Sequence, residues 1–338
     1  MKVTIFFSKG RDFRAQCIQA HIPKNIKTEL VNIDSLQGSL FSRLLGVVVH
    51  LWPFWHKNYI VLIISADMLG FSSLLVKYAY GLRSRIIVDF YDIFGLRKNR
   101  SNDKIMTSYR NNEISIFQNA EMFLARSFEL NQYRRRFSTD NKKFLFLPDF
   151  YPLKEDNSIK SQKFPSNRIV FLGNFSMEYM LKLDRLGKDF IVDVYLWHGL
   201  DPVQLQKQCQ DIQVRVNFYQ SIPMERFDEV LSQYYFGIIL LSENSNVYHY
   251  SAAIKYMSYL KAGINIITDP RHRISRWYAR YFKERFFLVD DRNLDSVSVK
   301  SLSEFIDQQR ILDGKRNSIK TQAVSNRLTK KMDVFLNG

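Results

Sequence analysis

Short apolar runs recur along the whole chain, separated by longer stretches in which apolar positions return every third or fourth residue. In the first half the runs are VTIFF (3–7), ELVNI (29–33), YIVLII (59–64), RIIVDF (85–90), MFLA (122–125) and FLFL (144–147). In the second half they are RIVFLG (168–173), FIVDVYLW (190–197), VRVNFY (214–219), FGIILL (236–241), INIIT (264–268) and FFLV (286–289). Their length and β-branched and aromatic content predict strands. Between them, RDFRAQCIQAHI, SLFSRLLGVVVHLW, LLVKYAYGL, SMEYMLKLDRLG, DPVQLQKQCQ, PMERFDEVLSQ, SAAIKYMSYLKAG and ISRWYARYFKER predict helices, and a last polar, basic helix runs over about 313–336.

Strands alternating with helices predict parallel sheets covered on both faces. The alternation breaks once, in the polar, proline-containing stretch 151–167, and then restarts. The expectation is an α/β chain of two doubly wound, Rossmann-like domains with an intervening cleft. They span residues 1–152 and 165–312, and a C-terminal helix at 313–338 packs back on the first. Ligands of such sheets lie beyond the carboxyl ends of the strands, so chemistry is sought there.

Composition narrows the partners. The 338 residues carry 49 Lys and Arg against 33 Asp and Glu, a formal charge of +16. That excess favours anionic partners such as phosphorylated substrates, acidic lipid headgroups or nucleic acid. Two cysteines, Cys17 and Cys209, form neither a disulfide framework nor a metal spacing and fit a reducing compartment. MKVTIFFSKGRD reads as a first strand, not a signal peptide. The longest apolar stretches, 44–55 and 59–71, are shorter than the roughly 20 residues of a spanning helix.

Four strand ends carry candidate chemistry. Asp89 and Asp92 end a strand of the first half. Asp92 can cap the next helix or accept a proton from an attacking hydroxyl, while alternation places Asp89 towards the packed layer. Gly173, Asn174 and Ser176 lie between a strand and a helix start, where a ligand can approach the backbone and N–H groups can meet a phosphate. The loop after FGIILL carries Glu243, Asn246, Tyr248 and Tyr250. The next helix is expected to begin near Ser251, which puts Lys255 on its first turns, in reach of a diphosphate or simply in solvent. Asp290 and Asp291 form a carboxylate pair beyond the last strand, read as a turn. No GxGxxG follows a strand, and there is no GxxxxGK[ST], HExxH or cysteine cluster, so dinucleotide, Walker-type and catalytic zinc sites are not indicated.

Two Rossmann-like halves, a lysine at a helix start and a helix ending Ala-Gly before a strand resemble the GT-B glycosyltransferases. The segment 214–270 is most similar to the donor-binding region of the xanthan-type glucuronosyltransferases, in which an S-E-x-x-x-V-Y loop precedes an S-x-x-K helix start. Here the loop is Ser242-Glu243 to Val247-Tyr248 and the helix start is SAAIK. The resemblance implies that Tyr248 and Lys255 contact the diphosphate of a UDP-sugar, beside Ile254 where the family has methionine. Asp92 matches the family's catalytic base. The retaining GT-B enzymes carry a ribose-binding glutamate where this chain has Ser258, and an Arg and a Lys after their first C-domain strand where GNFSMEY has neither.

The resemblance implies metal-independent, inverting transfer with Asp92 as base, from a UDP-sugar to a glycan or lipid-linked acceptor in bacterial surface-polysaccharide synthesis. No cofactor beyond the donor and no nucleic acid is implied. The place is cytoplasmic, peripheral at the inner membrane face, where the apolar and aromatic stretch 41–55 beside basic residues either docks on anionic lipid or forms a buried helix. A non-catalytic scaffold with a degenerate transferase fold, a basic nucleic-acid-binding protein and an epimerase of the same fold are the rivals.

Overall fold

The computed structural model describes residues 1–8, 11–35, 42, 45–46, 49, 59–65, 76, 85–90, 103–126, 128, 142–150, 163–173, 175–196, 200–209, 212–223, 226–241, 254–310 and 316–337. The chain divides into two compact units, one of residues 1–151 with 323–338, the other of residues 152–322.

The first unit is built on β1 (Lys2–Phe7), β2 (Lys27–Asn32), β3 (Tyr59–Ser65), β4 (Arg85–Phe90), β5 (Met122–Ala125) and β6 (Lys143–Phe146), in the order β2-β1-β3-β4-β5-β6. The second is built on β7 (Arg168–Leu172), β8 (Ile191–Tyr195), β9 (Arg215–Tyr219), β10 (Phe236–Ile239), β11 (Asn265–Thr268) and β12 (Phe286–Leu288), in the order β12-β11-β10-β7-β8-β9. All the pairings are parallel. Each strand lies on one of the apolar runs read from the sequence, and the chain is α/β with two doubly wound sheets. Each sheet reverses its strand succession once, between β1 and β3 and between β7 and β10. Strand ends diverge at such a point and leave a crevice.

The described helices are α1 (Asp12–His21), α2 (Asp103–Asn119), α3 (Met177–Asp184), α4 (Pro202–Gln208), α5 (Phe227–Leu231), α6 (Lys255–Lys261), α7 (Arg273–Tyr281), α8 (Val299–Arg310) and α9 (Arg316–Asn337). The sequence pattern did not single out α2 or α8. α2 is polar over much of its length and contributes mainly Ile116 and Phe117 to the first core, against Phe90 and Phe123. In α9, Val324, Leu328, Met332 and Leu336 are buried at a four-residue spacing, which lines them up along one face. The division between units falls inside α9, between residues 322 and 323, and not at 313, because that apolar face serves the first unit. There Ser325 Oγ lies 3.5 Å from Nε2 of His21 on α1.

The first unit also buries a set of charges. Arg14 of α1 is fully buried. Its Nε and NH2 donate to Asp89 at 2.9 and 2.6 Å, and its NH1 donates to the Leu147 carbonyl at 2.8 Å and to Asp149 at 3.3 Å. Asp149 also accepts from Arg126 at 3.0 Å. Burial alone would lower the Arg14 pKa, but Asp89 and Asp149 outweigh it and push it further up. Asp89 is thus the structural carboxylate that strand alternation implied. Replacing Arg14 with Met should strip the buried Asp89 of both its Arg14 bonds, leave Asp149 to Arg126, and cost about 3–5 kcal/mol. Urea unfolding followed by fluorescence measures this, and a loss below about 1 kcal/mol would refute it.

Candidate functional site

The crevice of the second sheet lies where β7 and β10 part. They pair only at Phe236 with Ile169 and at Gly237 with Val170. β7 ends at Leu172 and is followed by Gly173, whose φ of 108° belongs to the left-handed region open to glycine. Its N–H donates to the Tyr195 carbonyl at 2.9 Å, and the Leu196 N–H donates to the Tyr219 carbonyl at 3.1 Å. These bonds tie together the carboxyl ends of β7, β8 and β9. Ser176 then caps α3, accepting from the Tyr179 N–H.

A pocket opens on these ends. Leu172, Gly173, Tyr195 and Leu196 form its strand side, Ser221, Ile222 and Phe227 a second wall, and Ile254, Lys255 and Ser258 of the α6 region the third. The lining is largely apolar, which suits the flat faces of a base or sugar. Its cation is Lys255.

Lys255 is half-buried, and its Nζ stands 4.3 Å from the centre of the Phe171 ring. No carboxylate pairs with it among the described residues. Burial pushes its ammonium down to about 8, because the charged form has lost water without gaining a counter-ion. The ring face compensates in part. α6 holds the lysine there by two tyrosines. The Tyr256 hydroxyl lies 2.8 Å from Thr268 Oγ1 on β11 and 2.7 Å from His272 Nδ1. Tyr259, one turn beyond Lys255, places its hydroxyl between β7 and β10. The arrangement presents a cation with no carboxylate partner among the described residues, at a strand-end crevice suited to an anion carried by a partly apolar ligand.

Of the residues chosen from sequence, Gly173, Ile254, Lys255 and Ser258 line this one pocket. Asp92, Asn174, Glu243, Tyr248 and Ser251 lie outside the described residues. Gly173 takes a different part from the one expected of it: its N–H is engaged by Tyr195, so it supplies a turn and a surface without a side chain, not a free donor. Ser258 turns its hydroxyl back to the Ile254 carbonyl at 3.3 Å. Tyr195, Leu196, Ser221, Ile222 and Phe227 were missed by motif reading. The register of β7, β8 and β9, which aligns Leu172 with Tyr195 and Tyr195 with Tyr219, is the signal that would have found the first two.

The acidic residues beyond β11 and β12 have a structural task. Carboxylate oxygens of Asp269, Asp290 and Asp291 lie within 4.8 Å of one another. Arg271 reaches all three, at 2.7, 3.2 and 2.6 Å, and Lys182 of α3 adds a bond of 2.9 Å to Asp291. The set grips Leu241: its N–H donates to Asp291 at 2.9 Å, and its carbonyl accepts from Lys182 at 2.6 Å. Leu241 is the residue from which the loop carrying Glu243 and Tyr248 departs.

No protein-family model and no curated protein matches the sequence. Solved structures do match. A phage T4 β-glucosyltransferase in complex with UDP and Mn²⁺ is 11% identical, with both chains covered in full and a TM-score of 0.58. A second structure of that T4 enzyme, described with its substrate binding and proposed catalytic mechanism, is 13% identical, again over the full length of both chains, with a TM-score of 0.56. A third, described as the DNA-modifying enzyme β-glucosyltransferase with and without uridine diphosphoglucose, is 11% identical over both full chains with a TM-score of 0.52. The likeness runs through both units, and the chain has the GT-B fold of these glycosyltransferase structures.

Proposed function

We propose that the protein is a glycosyltransferase that moves a sugar from a UDP-sugar to a hydroxyl of a glycan acceptor. One observation carries the reading: Lys255 is a desolvated cation with no counter-ion among the described residues, set over Phe171 in an apolar pocket at the switch point of a GT-B fold. A cation so placed gains from an incoming diphosphate what burial has cost it. The base and ribose pack on the strand side, the diphosphate meets Lys255, and Tyr248, Glu243, Asn174 and Ser251 complete the donor site from the neighbouring loops. The acceptor oxygen attacks the anomeric carbon from the face opposite UDP, in a single displacement that inverts the configuration. Asp92 takes the proton of that hydroxyl as the new bond forms, and Lys255 balances the charge of UDP as its bond to the anomeric carbon breaks. The likeness of 242–255 to the xanthan-type enzymes favours a lipid-linked acceptor in bacterial surface-polysaccharide synthesis. Leu45 and Val49 of the apolar stretch stand exposed, at 56% and 66%, which supports docking of that stretch on the anionic inner face of the membrane over burial.

A second reading of the acceptor has its own observation. On and just after α7, Arg276, Arg280 and Lys283 are exposed, with Trp277 and Tyr281 half-buried among them. With a net charge of +16, this favours a polyanionic acceptor such as DNA, which one β-glucosyltransferase neighbour is described as modifying. A steep loss of DNA affinity with salt, together with sugar transfer to DNA, would select it.

Three outcomes test the proposal. Isothermal titration should detect UDP binding that weakens about 10- to 100-fold in Lys255→Ala, the roughly 1.5–3 kcal/mol of a hydrogen bond to a charged group. Equal affinity in the variant would remove the lysine from the site. A bound diphosphate raises the Lys255 pKa above its free value near 8, so binding takes up a proton above that pH. UDP affinity should therefore fall as pH rises past about 8, by at most tenfold per unit, and Lys255→Ala should flatten the profile. Finally, donor turnover should persist in excess EDTA. Activity lost to EDTA and restored by Mn²⁺, the ion in the T4 structure, would assign the leaving-group charge to a metal instead.

A further inference from the structure

The pair Gly237 and Tyr259 has no part in the donor contacts just described, yet it sits at the root of the pocket. Gly237 is in the middle of β10, where a side chain would be expected to pack. A Cβ built on it would meet the Tyr259 ring carbons at 2.6 Å, so the missing side chain is what admits the ring. The ring carries its hydroxyl into the gap between β7 and β10, just past their last paired residues. There it accepts from the Leu172 N–H at 3.2 Å and lies 3.3 Å from the Val170 carbonyl and 3.5 Å from the Ile238 carbonyl. With one proton, it donates to one carbonyl at a time. Tyr259 and Leu172 are fully or nearly fully buried, so no water can replace these bonds at low cost.

We infer that Tyr259 is a positioning residue for the donor pocket: its hydroxyl takes the place of the ladder bonds lost where β7 and β10 part, and so holds the crevice open with Leu172 and Gly173 at its edge. The same residue sets the reach of Lys255, which lies four positions earlier on the same face of α6. Without the hydroxyl, the two strands would close on each other or Leu172 would lose its partner, and the floor under the ligand would move. The consequence for donor binding rests on the reading of this pocket as a UDP-sugar site, but the consequence for the strand ends does not.

The experiment compares wild type, Tyr259→Phe, Gly237→Ala and a control, Leu302→Ala, which opens the core of the same unit from α8. Hydrogen exchange is measured on the ligand-free proteins, and UDP affinity and donor kinetics follow. Tyr259→Phe should raise exchange at 170–173 at least tenfold, weaken UDP about tenfold and raise the donor KM with little change in kcat. Gly237→Ala, which evicts the ring, should reproduce all three. Leu302→Ala should lower the melting temperature while leaving exchange at 170–173 and UDP affinity as in wild type. Unchanged exchange in both Tyr259→Phe and Gly237→Ala, or the same losses in Leu302→Ala, would overturn the inference. Wild type that fails to take UDP would refute the nucleotide reading alone, and exchange at 170–173 would still decide the role of Tyr259.

Discussion

A doubly wound sheet has to satisfy backbone groups that its own ladder abandons where the strand order reverses. Buried N–H and carbonyl groups that lose their partners cost about 1–3 kcal/mol each, so they are met from outside the ladder or the crevice collapses. At the parting of β7 and β10 the second unit meets them with specific side chains. The Tyr259 hydroxyl serves Leu172, Val170 and Ile238, and Asp291 with Lys182 serves both polar groups of the Leu241 peptide. The Tyr195 carbonyl serves Gly173. The strand ends are thereby fixed before any ligand arrives, and a fixed crevice spends less binding energy on ordering itself.

Charge is handled in two opposite ways in this protein. Arg14 is wholly enclosed and answered by two carboxylates and a carbonyl, so its charge is spent within the fold. The acidic group around Asp291 is likewise balanced by Arg271, Lys182 and, at Asp290, Arg292. Lys255 differs in having the pocket on one side and an aromatic face on the other. Its proton is held less firmly than that of a solvated lysine, which is the expected state of a cation whose counter-charge arrives with the substrate.

The charge of the whole molecule adds a second layer. An excess of basic residues raises the local concentration of anionic ligands and surfaces without deciding which of them is used. The exposed apolar residues Leu45 and Val49 in the first unit and the basic face of α7 in the second are chemically distinct, and under the proposed function each fits a different acceptor. They separate a lipid-borne from a polyanionic acceptor by where substitutions should matter.

Strand positions were legible in the sequence because a strand buried on both faces is written as a continuous apolar run, and the order of strands and helices along the chain then limits the topology to a doubly wound one. Lys255 was legible because a helix start after a strand-end loop is a place with physical meaning. α2 was not, since packing of Ile116 and Phe117 against the sheet stabilises a helix whose own pattern is weak. Nor was Tyr259, which reads as one more apolar position of α6 until β7 is brought beside β10, strands separated by more than sixty residues of chain. The sequence by itself determined the two sheets, most of the described helices and the lysine at the crevice. Only the tertiary structure decided that Gly237 makes room for the Tyr259 ring, that the Gly173 N–H is already engaged and that Asp291 grips Leu241, because hydrogen bonds across a switch point join residues whose spacing along the chain carries no periodic signal.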